Sequence, residues 1–447
     1  MVRLARPKML VQRQNSGSKL DRCGWLFGIP VLSASLLCIE AVAVNPKVEF
    51  KEALSPADQQ GTATPCPENL LQAGTVLYLR LETPVSTRAS HLRDPVSARV
   101  VREVIKCEKV AIPLGCAFRG RVEKLIPSSN PADRARVRLD FTRLEVPDRP
   151  AFVLLGHIKE VENAREKVLP DGTIQGVLAS ELPLAHLEAA IEKLGKGKGE
   201  IRKAAERTLG RSDTSIDYPA GTDLVWVLDQ PLKVAGSFDS AVPAVLGKGN
   251  DAALEQSLAD APRFASGKDG EPGDPLNLIF IGNADEIRRA FQEARWSEAE
   301  KKTAKTVWET VRAILAERGY GVGPVSDLYL YGRIEDLAFE KMLNTFTKRH
   351  HLRLWRSPTL TPDGREIWLA AATHDIGLDV RPGVISHAID PEIDAERDKV
   401  GADLAATGRV AAESLLDRSN PLREGLTATG GRWMSDGKLL AIELRPQ

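Results

Sequence analysis

Between residues 349 and 398 the chain gathers side chains able to ligate, to bind anions and to transfer protons. RHHLRLW occupies 349–355, THD 373–375 and SHAIDPEIDAERD 386–398. Four of the seven histidines lie there: His350, His351, His374 and His387. If 349–355 is a strand, alternation puts His350, Leu352 and Leu354 on one face and Arg349, His351, Arg353 and Trp355 on the other. Guanidinium forks match oxyanions bidentately, so the second face would make an anion or phosphate platform. The competing reading is a solvated face with Arg353 stacked on Trp355. On the facing strand, Trp368, Ala370, Ala372 and His374 share one side.

The carboxylates admit two readings as well. On a helix over 391–407, Asp394, Arg397 and Asp398 fall on one face. Acids in the first turns complement the helix dipole, and Arg397 can pair with Asp394. Alternatively Asp390, Asp394 and Asp398 meet His374 or His351 around a divalent metal, which oxygen and imidazole donors suit. No spacing here is diagnostic of any one metal.

Motifs that would name a reaction are missing: there is no P-loop, GxSxG, HExxH or paired CxxC. A net charge of zero gives no support for nucleic-acid binding. A hydrophobic fraction of 43% and a charged fraction of 27% are ordinary for a globular protein. At 447 residues the chain should form two or three domains.

The first 43 residues read as an export signal. Arg3, Arg6, Lys8, Arg13, Lys19 and Arg22 face a single acid, Asp21, and precede an apolar run over 25–37 and Ala41-Val42-Ala43. The run is shorter than the ~20 residues of a spanning helix. Cleavage after Ala43 is the first expectation and an uncleaved anchor over 25–39 the second. Export places the remainder in the periplasm or cell envelope, where disulfides persist. Cys107 and Cys116 could pair there across a hairpin, leaving Cys66 odd.

Residues 44–69 read as a linker. From 70 to about 170, short alternating runs punctuated by Pro, Gly and Asp argue for an all-β barrel-like module. The run Ala73-Gly74-Thr75-Val76-Leu77-Tyr78 recurs as Ala220-Gly221-Thr222-Asp223-Leu224-Val225, which suggests a returning last strand, with a helical excursion over 180–210 between. AGTVLYLRLETPVS, VAIPLGCAFRGRV at 110–122 and LDFTRLEVPD at 139–148 together resemble the TrbI-type β-barrel of type IV secretion core complexes. The resemblance covers about 70–232. In that family the excursion is apolar enough to meet a membrane; here it carries Glu192, Lys193, Lys196, Lys198 and Glu200, which argues against a pore.

Residues 233–273 read as a second linker, and 274–447 as an α+β or α/β domain. Its expected order is a strand over 276–281, a helix capped at Gly282-Asn283, and a second helix with a Ser297/Glu300 capping box. A strand at 327–331, a short helix near 337–343, and a hairpin of 350–355 and 366–373 turned at Pro362-Asp363-Gly364 follow. The last expected elements are a helix opening at Asp390-Pro391 and ending at Gly408, and strands flanking Ser435-Asp436-Gly437. DPLNLIFIG at 274–282, PVSDLYLYGRIEDLAFEK at 324–341, RHHLRLW, ATHDIGLD at 372–379 and IDPEIDAERD at 389–398 resemble the LssY C-terminal domain family, and TGGRWMSDGKLLAIEL at 429–444 fits more loosely. That family is named from a component encoded with a bacterial type I secretion system, and its own activity is undefined. The GRxxD of its pattern adds Arg333 and Asp336 to the candidate residues. Some members join the domain to lipid-phosphate-phosphatase-like membrane segments; no such module is visible here.

Two functions from different classes follow. The first is an exported, envelope-associated binding or assembly component linked to secretion. Its partners are envelope components or an anionic small molecule, with membrane contact through the N-terminal segment and none with nucleic acid. The second is a hydrolase of phosphate esters or another anionic envelope substrate. There His351, Arg353 and Arg333 would hold the anion, while His374 with Asp375 or Asp390 would manage protons or a metal. The hydrolase requires His351, Arg353, His374 and Asp390 to converge in one cleft.

Overall fold

The computed structural model describes residues 70–181, 213–239, 246, 251–299 and 327–446, apart from 131, 235, 269, 346, 382–383 and 428–429. The export signal, the linker over 44–69 and the helical excursion lie outside these residues. Residues 64–447 form one compact unit.

Alternation builds the first sheet as expected. Its main strands are Val76–Leu81 (β1), Pro95–Val100 (β2), Ala117–Ile126 (β3), Arg136–Glu145 (β4), Gly156–Val161 (β5) and Asp223–Leu228 (β6). They run in the order β5-β6-β1-β2-β3-β4, extended by Ile174–Gln175 and Lys167–Val168, into a nearly closed barrel. Leu77, Leu79, Phe118, Phe141, Leu224 and Trp226 point inward and are fully buried. The Phe118 ring meets Trp226 edge-on at 5.4 Å between centroids. The repeated AGT has a structural meaning: β1 and β6 pair antiparallel, with Leu77 opposite Trp226 and Arg80 opposite Asp223. Gly74 (φ +86°) and Gly221 (φ +100°) each occupy the left-handed turn that leads into one strand, a conformation glycine adopts without steric cost. The Gly74 N–H donates to Leu228 O, and the Gly221 N–H donates to Leu81 O, both at 2.7 Å. Each turn thus closes the far end of the other strand.

The second sheet contains Leu278–Ile281 (β7), Leu337–Lys341 (β8), Arg349–Leu360 (β9), Glu366–Arg381 (β10), Val384–Ile389 (β11), Val410–Leu416 (β12) and Leu439–Leu444 (β13). From Ser297–Glu298 its order is β8-β9-β10-β7-β13-β12, with β11 pairing β10. Only β7 and β13 pair in parallel among these ladders. Helices Asp251–Asp260 (α1), Ala284–Glu293 (α2) and Ile393–Ala405 (α3) accompany it, so this half is α+β. Two apolar clusters cover its faces: one holds Leu278, Phe280, Phe291, Leu352 and Leu354, the other Ile279, Ile281, Trp355, Leu369 and Ala441.

Four local expectations are corrected. Residues 337–341 form strand β8, because pairing with β9 buries Leu337 and Phe339; the alternation there outweighs the helical reading. Ser297–Glu298 is a strand paired with Glu340 and Phe339 rather than a helix cap, and the rest of that expected helix lies outside the described residues. Helix α3 begins at Ile393, with Glu392 in the cap position making no side-chain cap bond; Asp390 instead accepts from the Glu392 N–H at 3.0 Å. Cys107 is disulfide-bonded while Cys116 is a free, buried thiol, so the two do not pair. Cys107 and Glu108, both with positive φ, form the turn of the hairpin Val104–Lys106/Lys109–Ile112. The expected cap of α2 is present: Asn283 and Glu286 form a reciprocal capping box. The stretch 233–273 holds α1 and the strands Phe264–Ser266 and Pro272–Pro275.

Candidate functional site

Cross-strand register decides which histidines meet. In the β9–β10 hairpin Arg349 faces Asp375, His350 faces His374 and His351 faces Thr373. Successive residues point to opposite faces of the sheet, so two separate clusters form.

The first cluster is built on Asp375. Its carboxylate accepts from Arg349 Nε at 2.9 Å and lies 3.2 Å from His351 Nε2. His387 Nδ1 stands 3.6 Å away. Arg349 also donates to Glu340 at 3.3 Å. Arg353 donates to Asp274 at 2.8 Å and to His351 Nδ1 at 3.4 Å. Arg349, His351, Arg353 and Asp375 are all buried. Burial alone would raise the Asp375 carboxyl, but His351, Arg349 and His387 hold it far below the carboxylate range. The face is therefore covered and internally neutralised, neither solvated nor an open platform. Trp355 is fully buried in the apolar layer and does not stack under Arg353 in solvent.

The second cluster lies where the barrel meets the second sheet. His350 Nδ1 is 2.7 Å from Glu396 Oε2 on α3. His350 Nε2 points to Glu162, just past β5, at 3.6 Å. The His374 ring stacks on His350 with centroids 4.2 Å apart, and its Nε2 is 2.8 Å from Asn163 Oδ1. Burial opposes a charge on His350, yet Glu396 and Glu162 push it up to about 9. Burial, then the charge on His350, pushes His374 down to about 3. Beside them runs a buried ion network. Arg80 bonds Asp223 at 2.7 Å and Asp403 at 2.9 Å. Lys341 contacts both acids, and Lys399 reaches Glu162 at 3.0 Å, Asp223 at 3.1 Å and Asp403 at 3.2 Å. The Trp296 indole N–H donates to Asp403 at 2.9 Å. Asp223 and Asp403 are held well below the usual range by Lys341, Lys399 and Arg80, against burial. A cavity of about 140 Å³ opens onto this seam, lined among others by Glu162, Asn163, Asp223, Arg295, Lys341 and His350.

The remaining candidates lie elsewhere. Asp394 accepts from Ser435 Oγ at 2.8 Å and pairs with Arg397 at 3.2 Å. Asp398 pairs with the same guanidinium at 2.9 Å and is half exposed. Asp390 accepts its own loop's N–H and stays at the start of α3. Arg333 and Asp336 pair with each other beside Arg356, at an exposed groove. His351 and Arg353 thus share one face and His374 the opposite one. Glu162, Asn163, Asp223, Lys341, Lys399 and Asp403 escaped the sequence reading because they converge from distant segments. One signal was available: Asp223 stands where the echoed run has Val76.

Residues 258–439 match the family model described as LssY C-terminus. No curated protein matches the chain. Among solved structures, ComB10 of the Com type IV secretion system of Helicobacter pylori is 11% identical over 39% of this chain and 95% of that one. Its TM-score is 0.24. Over 258–439, less than half of its length, the chain is similar to the LssY C-terminus family.

Proposed function

We propose that the chain is an exported, envelope-associated binding or assembly component linked to secretion, built from a barrel module over 70–232 and an LssY-type domain over 274–447. The observation that carries binding over hydrolysis is the division of the candidates between two sheet faces. A hydrolytic centre needs anion-holding and proton-handling groups around one reacting atom. Here His351 and Arg353 are engaged with Asp375 and Asp274 on one face, while His374 faces Asn163 on the other. The disulfide at Cys107 supports the exported part of the reading, because such bonds persist in oxidising compartments.

The test uses the full chain expressed in a bacterium. Fractionation should recover it outside the cytoplasm, and deletion of 1–43 should retain it inside. Purified protein assayed on p-nitrophenyl phosphate, with and without added divalent metal, should show no turnover above a His351→Ala control. Cytoplasmic recovery of the intact chain would refute the exported reading. Phosphatase turnover lost in His351→Ala would replace binding with hydrolysis.

A further inference from the structure

The geometry points to a carboxylate-binding recess beside the second sheet, where the Arg263 and Arg418 guanidiniums and the Trp433 indole N–H hold one carboxylate group of a ligand. It lies apart from both histidine clusters. It gives the binding reading a ligand class without resting on export.

Three segments build the recess. Arg263 stands just before the strand Phe264–Ser266, Arg418 just past β12, and Trp433 in the strand Arg432–Met434. All three line one small cavity, and Arg418 and Trp433 keep only 9% and 4% of their exposure.

Charge is the first observation. Elsewhere the buried guanidiniums of Arg80, Arg349, Arg353 and Arg397 each meet a carboxylate at 2.7–2.9 Å. Arg418 meets none among the described residues; its Nη2 donates to the Ala261 and Pro262 carbonyls, both at 2.9 Å. Arg263 donates to the Ser419 carbonyl, and among the described residues no carboxylate lines the cavity. Burial and then the Arg263 charge push Arg418 down to about 10, the direction of a buried cation without a counter-ion.

Hydrogen bonding is the second. Arg263 Nη1, Arg418 Nε and Trp433 Nε1 are buried and have no hydrogen-bond partner, which is costly unless one arrives. All three atoms donate and none can accept. The acceptors on the wall are engaged: Asn277 Oδ1 accepts the Ala372 N–H, and Ser435 Oγ accepts the Gly437 N–H. A ligand that only accepts fits this lining, and an ionised carboxylate is one that guanidiniums bind well. Size narrows the choice. The cavity is about 20 Å³, and one water needs about 10–15 Å³. Two carboxylate oxygens fit there, and the four of a phosphate do not.

The experiment is equilibrium dialysis of the full chain against radiolabelled acetate at constant ionic strength, followed by competition with unlabelled anions. The expected result is one acetate per chain, displaced by formate and not by phosphate. Trp433→Phe removes the N–H and keeps a ring, and Arg263→Gln removes one charge. Each should weaken binding at least about tenfold, the worth of a hydrogen bond to a charged group. Arg333→Gln should leave binding unchanged. Should Arg263→Gln fail to fold, Trp433→Phe decides. A tripeptide with a free C-terminus, set against its amide, identifies the source. Displacement by the acid alone makes the ligand a polypeptide carboxylate, and displacement by neither makes it a small free acid. No stoichiometric acetate, displacement by phosphate or by the amide, or undiminished binding in Trp433→Phe would each overturn the assignment. Any of these would leave the fractionation test of export untouched.

Discussion

Single side chains here are defined by what they neutralise. Arg397 is buried and holds Asp394, Asp398 and Asp436 together, at 3.2, 2.9 and 2.8 Å. Only the guanidinium is buried, and its carboxylate partners are partly screened by solvent, so its removal should cost about 1–3 kcal/mol. Arg397→Ala should therefore lower unfolding free energy by that order in denaturant titrations, whereas Asp398→Ala, half exposed, should change it by under ~1 kcal/mol. Cysteine chemistry gives a second prediction. Burial pushes the Cys116 thiol up to about 11, and the thiolate is the reactive form. Iodoacetamide at pH 8 should leave Cys116 unlabelled in native protein and label it after denaturation, while Cys107 should need reduction first; peptide mass spectrometry reads both. The basic run 349–353 was legible in sequence as chemistry and as alternation. Its burial was not, because the acids that cover it, Asp274, Glu340 and Asp375, come from three other segments.

Elements were readable where local pattern and tertiary demand agree. The barrel strands, the Asn283 cap and the turn at Gly364 (φ +83°) follow from alternation, capping and a left-handed glycine. At residues 337–341 the alternation of Leu337 and Phe339 is a strand signature too short to outweigh a helical reading without the β9 ladder. The AGT echo was legible as repetition, but its pairing of β1 with β6 needed the register. Close approach of strands gives a test at this scale. A Cβ on Gly156 would sit 2.2 Å from Val227 O and 2.3 Å from the Trp226 ring. Neither backbone nor packed indole can yield cheaply, so Gly156→Ala should cost about 1–3 kcal/mol. An unchanged melting temperature would show that the β5–β6 contact is looser than described.

At the scale of the molecule, the barrel and the second sheet keep separate buried clusters and meet through a charged seam, with Leu343 packed against the barrel core. No helix among the described residues is long and apolar enough to cross a membrane. Acid should weaken the seam. Asp223 and Asp403 have folded values below their unfolded ones, so the unfolded state binds protons first. Their stabilisation is present above the unfolded pKa of about 3.9 and is lost as pH falls below it. Stability measured from pH 6 down to pH 3 should therefore drop, and Asp403→Asn should flatten that slope. The seam was invisible in sequence for a physical reason: its acids and bases span 80 to 403 and obey no local period.

The central claim is that the buried network of Arg80, Asp223, Lys341, Lys399 and Asp403 makes one unit of the two sheets. Hydrogen exchange in increasing denaturant, read on peptides from 117–145 and 366–381, tests it most directly. The account predicts that both regions open together in the wild type and separately in Asp403→Ala. Independent opening of the two sheets in the wild type would contradict it.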